Sequence, residues 1–368
     1  VTNRWWIVLL AAGWLVGCTA APGAVAPTAA VAPTAAVAPT AAASGEQLII
    51  MTHDSFSVSE AVVDEFERTT GARVEILPSG DTGSALNKAI LSKDAPLADV
   101  FFGVDNTFMS RALAAGIFEP YDSPAAAAMP ADVRLDPTGR LHPVDVGYVM
   151  INYDRAALRD AGLTPPATLE ELADPRWRGQ LIVQNPATSS PGLAFLLTTI
   201  AHFGEDGAYT WRDYWRALRA NDVLVTDGWE DAYYTHFSGS SGAGPRPLVV
   251  SYGTSPAAEV YFSEGALSEP PTANLDVPAF RQIEFVGILA GTPRRALAER
   301  FVDFMLGPSF QADIPLQMWV WPAAPGTPLP EVFTAFAARP ARAVELPPER
   351  IEAERERWIG EWTSLVLR

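Results

Sequence analysis

Residues 225–234, VTDGWEDAYY, set Trp229, Tyr233 and Tyr234 among Asp227, Glu230 and Asp231. Aromatic faces and carboxylates both attract positive charge, so this mixture suits a cage for a flat cation. Trp229 and Tyr233 are four residues apart, which on a helix puts them on one face with Glu230 and Asp231 turned elsewhere. The same spacing serves a core-facing aromatic pair on an acidic helix, and both readings stay open. In DIPLQMWVWP, 313–322, Trp319 and Trp321 share a face if the segment is extended, available for stacking on a ligand or for core packing. Asp81 and Asp105 follow apolar runs, where a carboxylate caps a turn or supplies countercharge. TSSPGLAFLLTTIAHF reads as a helix start with Ser190 as N-cap and Pro191 in first position. Its free N–H groups could also hold a phosphate.

Little in the chain suggests catalysis. His53, His142, His202 and His236 fall in no metal-ligand spacing. There is no G-x-S-x-G elbow, and SGSSGAG at 238–244 reads as a flexible turn. Gly-rich phosphate loops are missing too, so the expectation is a binding protein with no catalytic residues, no metal and no cofactor. With 43 acidic against 26 basic side chains the net charge is −17, which argues against nucleic acid as a partner.

The elements that must position these residues alternate short apolar runs with helical patterns, the mark of an α/β fold with largely parallel strands. Strands are expected at 48–52, 73–77, 99–104, 148–153, 180–184, 223–226 and 248–252, and helices at 59–71 and 297–307. In such sheets ligands gather outside the carboxyl ends of strands. Those ends lead into His53, Asp54 and Ser55, into Gly80, Asp81 and Thr82, into Asp105 and Asn106, and into Tyr252. VLVT at 223–226 likewise delivers Trp229 to the same side, at the start of a helix.

Ahead of the folded part, Arg4 and the apolar WWIVLLAAGWLV at 5–16 read as an export signal, taken as 1–17. LVGC, Leu15 to Cys18, resembles the lipobox of bacterial lipoproteins, which implies cleavage before Cys18 and its lipidation; Cys18 is also the sole cysteine. AVAPTA then occurs three times within 24–41, an extended Ala/Pro/Thr tether expected over 18–45.

Several of these segments together resemble the substrate-binding proteins of thiamine ABC transporters. They are DSF at 54–56, ADVFFGVDN at 98–106, TSSPGL at 188–193, VTDGWEDAY at 225–233, LVVSYGTSPA at 248–257, SFQADIPLQMWVWP at 309–322 and ERERWIGEW at 354–362. The resemblance implies a two-lobed α/β periplasmic-binding-protein fold of type II with the ligand cleft between lobes. Lobe 1 would comprise 46–145 and 278–335, lobe 2 146–277, and a C-terminal helical segment 336–368. It further implies an exported monomer, held at the membrane by its lipid anchor, that delivers thiamine, thiamine monophosphate or thiamine diphosphate to a permease and performs no chemistry. Trp229, Tyr252 and Trp319 match ring positions of that family's pocket, with Tyr233 close by; Asp81 matches its acidic residue and Ser189 a residue near the phosphate end. His53 and Asp105 complete the expected ligand-binding set. Two positions depart from the pattern: His53 stands where tyrosine is common and Ala258 where another aromatic often lines the site. Protonated His53 would repel a cation, so tighter binding at pH 8 than at pH 5.5 is expected. The rival readings are a same-fold carrier of a polyamine, a phosphonate or iron, and a secreted thiamine-processing enzyme, which commonly needs a cysteine nucleophile.

Overall fold

The computed structural model describes residues 45–239 and 244–368. The expected export signal, Cys18, nearly all of the tether and most of SGSSGAG lie outside the described residues. Among the described residues twelve strands form one mixed sheet. They are β1 Gln47–Thr52, β2 Arg73–Pro78, β3 Val100–Asp105, β4 Phe118–Glu119, β5 His142–Asp154 and β6 Leu181–Gln184. The remainder are β7 Leu224–Thr226, β8 Leu248–Tyr252, β9 Thr272–Asn274, β10 Ala279–Leu289, β11 Trp321–Pro322 and β12 Ala343–Val344.

The main path runs β2-β1-β3-β10-β5-β8-β6-β7. β2, β1 and β3 are parallel to one another, and so are β8, β6 and β7. Between these two sets lie β10 and β5, antiparallel to each other and each antiparallel to the set it borders. The two halves thus have mirrored layouts joined at the β10–β5 pair, and β5 serves both, pairing with β10 over His142–Val149 and with β8 over Val149–Tyr153. Every residue of β3 is buried, as a parallel strand covered on both faces requires. β2, at the sheet edge, is only partly covered and ends at Pro78, whose missing N–H costs nothing there.

The seven strands read from the sequence are all present, with β5 extending well before 148. β10 has no counterpart in that reading. Arg281, Gln282 and Glu284 interrupt its apolar pattern, yet ten of its eleven positions are buried or nearly so because it runs through the middle of the sheet. The helix Glu60–Thr70 ends where expected, at Gly71, whose φ of 75° lets its N–H turn back to the Glu67 carbonyl at 2.7 Å. In the helix Ser190–Phe203 the cap is Ser189 rather than Ser190, and Pro191 takes the second position, a shift of one residue. The helix expected at Trp229 is a single turn that widens into a π-helical stretch over Asp231–His236, a geometry frequent at functional sites. The closing helix Pro348–Val366 buries Trp358 and Trp362, the latter edge-on to Trp215 at 5.4 Å.

Candidate ligand-binding cleft

At the carboxyl ends of these strands lies a cavity of about 560 Å³, within the range of small-molecule sites. One wall is aromatic. Trp229 stacks on Tyr233 with ring centres 5.0 Å apart and planes 18° from parallel. The four-residue spacing does place them on one face, and the widened turn brings Tyr234 edge-on to Trp229 at 5.5 Å. Tyr252, arriving at the end of β8, meets Trp229 at 6.2 Å. These rings are anchored by polar bonds: Trp229 Nε1 donates to Ser251 Oγ at 2.8 Å, and the Tyr233 hydroxyl donates to Glu259 at 2.7 Å. The core reading therefore holds for part of the aromatic cluster. Tyr233 is core, only 3% exposed, whereas half-buried Trp229 packs on it with one face and borders the cavity.

The opposite wall comes from the ends of β1 and β2. His53 packs against Phe102 and over Gly103, where a φ of 107° and a Cβ position only 2.5 Å from the imidazole leave room for glycine alone. Its Nε2 lies 3.4 Å from Glu284 Oε1. Burial lowers the His53 pKa to about 4 despite the opposing pull of Asp54. His53 is consequently neutral at both pH 5.5 and pH 8, and the expected pH-dependent repulsion from it does not arise. Asp81 caps its own helix through Thr82 N–H at 2.7 Å and reaches across to the Trp229 N–H at 3.0 Å. Burial raises its pKa, while Ser189, Thr82 and Trp229 all favour its charged form.

Trp319 closes a third side. Its backbone φ of 56° is costly for a tryptophan, a kind of strain that clusters at functional sites. The ring touches Tyr261 at 5.3 Å and Phe262 at 5.5 Å, and Thr254 Oγ1 donates to its carbonyl. Trp321 turns inward; both tryptophans meet Phe333, at 6.4 and 5.2 Å.

Of the residues singled out in the sequence, His53, Asp81, Trp229, Tyr233, Tyr252 and Trp319 line this cavity together, as does Ala258. Asp105 and Ser189 do not. Asp105 is fully buried at the end of β3, where one oxygen accepts from Thr107 N–H, Thr107 Oγ1 and Phe108 N–H. Ser189 is fully buried beside Asp81, under a close contact in which Ser84 N–H donates to the Thr188 carbonyl at 3.2 Å. Sequence reasoning missed Glu259, Phe262 and Glu284 as lining groups. Ala258 and Phe262, four apart on the helix Ser255–Phe262, share a face and could have been found by spacing. Glu284 could not, since its strand went unread.

Residues 95–334 match the family of bacterial extracellular solute-binding proteins. The chain belongs to that family. It is similar to the thiamine-binding periplasmic protein of Salmonella typhimurium, 32% identical over 328 residues, covering 87% of this chain and 94% of that one. The Escherichia coli protein of the same name is likewise 32% identical, over 87% and 94%. Among solved structures, a periplasmic thiamin binding protein superimposes with a TM-score of 0.77 at 29% identity, covering 88% of this chain and 97% of that one. As a solute-binding protein with this two-lobed α/β fold it is a carrier rather than an enzyme, and such proteins work with ABC permeases.

Proposed function

We propose that this chain is the extracytoplasmic solute-binding component of an ABC importer and that its solute is thiamine or a thiamine phosphate. The observation that carries the reading is the stacked Trp229–Tyr233 pair lining one cavity together with Asp81 and Glu284. Thiamine offers a flat aminopyrimidine and a permanently charged thiazolium ring, which aromatic faces and carboxylates recognise. Likeness to thiamine-binding relatives over nearly their whole length supports the same solute.

In this reading lobe 1 comprises 46–145 with 278–335, lobe 2 comprises 146–277, and residues 336–368 follow as a helical segment. Cys18, lipidated, would hold a monomer at the membrane through the AVAPTA tether. Solute bridging both lobes favours the closed form by its differential affinity, and the closed form docks on the permease. Ser189, buried in the present arrangement, would meet a phosphate only when the Thr188 contact opens. Tryptophan emission tests the solute class, because Trp229 and Trp319 border the cavity. Saturable quenching by thiamine, with none by spermidine or ferric iron, supports the proposal; quenching by spermidine or iron alone would refute it.

A further inference from the structure

Three carboxylates stand in a row beside the cleft. Glu284 on β10 is paired in register with Asp105 on β3 and with Asp145 on β5. Side chains directly opposite one another across neighbouring strands share a face, roughly 5 Å apart. Asp105 and Asp145 are fully buried and Glu284 is 6% exposed. Asp105 has three donors on one oxygen, but among the described residues no donor reaches either oxygen of Asp145. What Asp145 faces is Glu284, another acid. A buried carboxylate without a donor is too costly to keep ionised, and two acids in contact hold a proton between them. Only Glu284 of the three reaches the cavity.

The groups around the pair reinforce this. Asp105 and Asp81 add negative charge to Glu284, and the Tyr252 phenol feels the same acids from β8. His53, with Asp54 behind it, is neutral and supplies no compensating charge, and Arg355 reaches no further than Asp105. Burial first, and Asp145, Asp105 and Asp81 second, push Glu284 well above the usual carboxylate range, while burial raises Asp145 well above it against the opposing bond to Glu284.

We propose that Glu284, sharing a proton with Asp145, is a specificity-determining residue of the cleft that releases this proton to solvent when a cationic ring is seated. The inference rests on the reading of the solute as a thiazolium cation. No covalent bond of the ligand changes: one O–H bond of the carboxyl pair breaks, its proton passes to water, and the new carboxylate balances the ligand's charge. A neutral or anionic solute supplies no such charge and leaves the proton in place. Because release accompanies binding, affinity for the cation rises with pH, up to about tenfold per unit while the pair titrates.

Calorimetric titration of the whole protein with free thiamine, which carries no titrating phosphate, tests this in phosphate and in Tris at pH 7. Their different ionisation heats convert proton release into a heat difference. The expected result is release approaching one proton per thiamine in the wild type, lost in Glu284→Gln while that variant still binds thiamine. Equal heats in both buffers would overturn the inference while leaving thiamine as the solute. Release that persists in Glu284→Gln would overturn it by assigning the proton elsewhere. Heat in neither buffer would overturn the thiamine reading and this inference with it. Should Glu284→Gln fail to fold or to bind, Asp145→Asn decides, because an amide opposite Glu284 leaves it no acid to share a proton with: release falling toward zero supports the inference, and undiminished release would overturn it.

Discussion

At the scale of single residues, Trp229 carries two duties that the sequence left as alternatives. It supports Tyr233 in a small core and presents its ring to the cavity, so removing it should show in two measurements of unequal size. For Trp229→Ala the loss of a desolvated cation–π and stacking partner should weaken thiamine binding by about 2 kcal/mol, roughly 30-fold in Kd. Urea unfolding should show a loss of only about 1 kcal/mol, from the Ser251 hydrogen bond and the Tyr233 contact. An unfolded variant would instead make Trp229 chiefly a core residue. Most of the cavity was legible because its residues sit just past strands whose apolar runs are plain, as with His53, Asp81 and Tyr252. Asp105 follows the same pattern yet lies inward, because it is consumed by the turn at Thr107 and Phe108. Position after a strand specifies a neighbourhood, and the hydrogen bonds of the next turn decide which way the side chain points.

The element that the sequence concealed is β10. A strand with polar groups at its centre does not alternate cleanly, and its one acid, Glu284, stands in register between Asp105 and Asp145. Continuous apolar runs such as those at 48–50, 100–104, 181–183 and 248–250 needed no such context. The row has a stability signature. Burial raises Asp105 to about 6, and Asp145 and Glu284 well above their ordinary values. Such groups hold protons in the folded state that the unfolded chain has already lost, so their stabilising contribution is full below about pH 4 and is lost as pH rises through the raised values. His53, lowered to about 4, works in the opposite direction between roughly pH 4 and 6.5. His142, also lowered by burial, opposes in the same way, but the effect of both histidines is complete by about pH 6.5, which leaves the sign with the acids across neutral pH. The empty protein should therefore be more stable to urea at pH 6 than at pH 8, and Glu284→Gln should shrink that difference. Greater stability at pH 8 in the wild type would contradict the protonated row.

On the scale of the whole molecule, the two halves meet across the cleft at points that allow little clearance. The N-terminal turn of the helix Thr82–Leu91 lies against residues 187–188, where a Cβ on Gly83 would come within 2.7 Å of the Ala187 carbonyl and 2.8 Å of Thr188. Glycine at 83 is thus a condition of this close approach rather than of the helix itself. Gly83→Ala should hold the halves apart and weaken thiamine binding by about tenfold, or ~1.4 kcal/mol, with thermal stability of the empty protein unchanged or slightly raised. Unaltered affinity in that variant would show that closure at this contact contributes nothing to binding. The α/β class was readable from the alternation of elements, whereas the plan of two halves came only through the resemblance to a known family. Their join was not, since β10 went unread and β5 was read only from 148 onward, past most of its pairing with β10.

The most direct test of the carrier assignment is calorimetric titration of the protein with thiamine, thiamine monophosphate and thiamine diphosphate. The result expected is one-to-one binding of at least one of them at micromolar or tighter affinity, about −8 kcal/mol or better. No heat with any of the three would mean that a histidine at 53 and an alanine at 258 have turned the cleft toward a different solute.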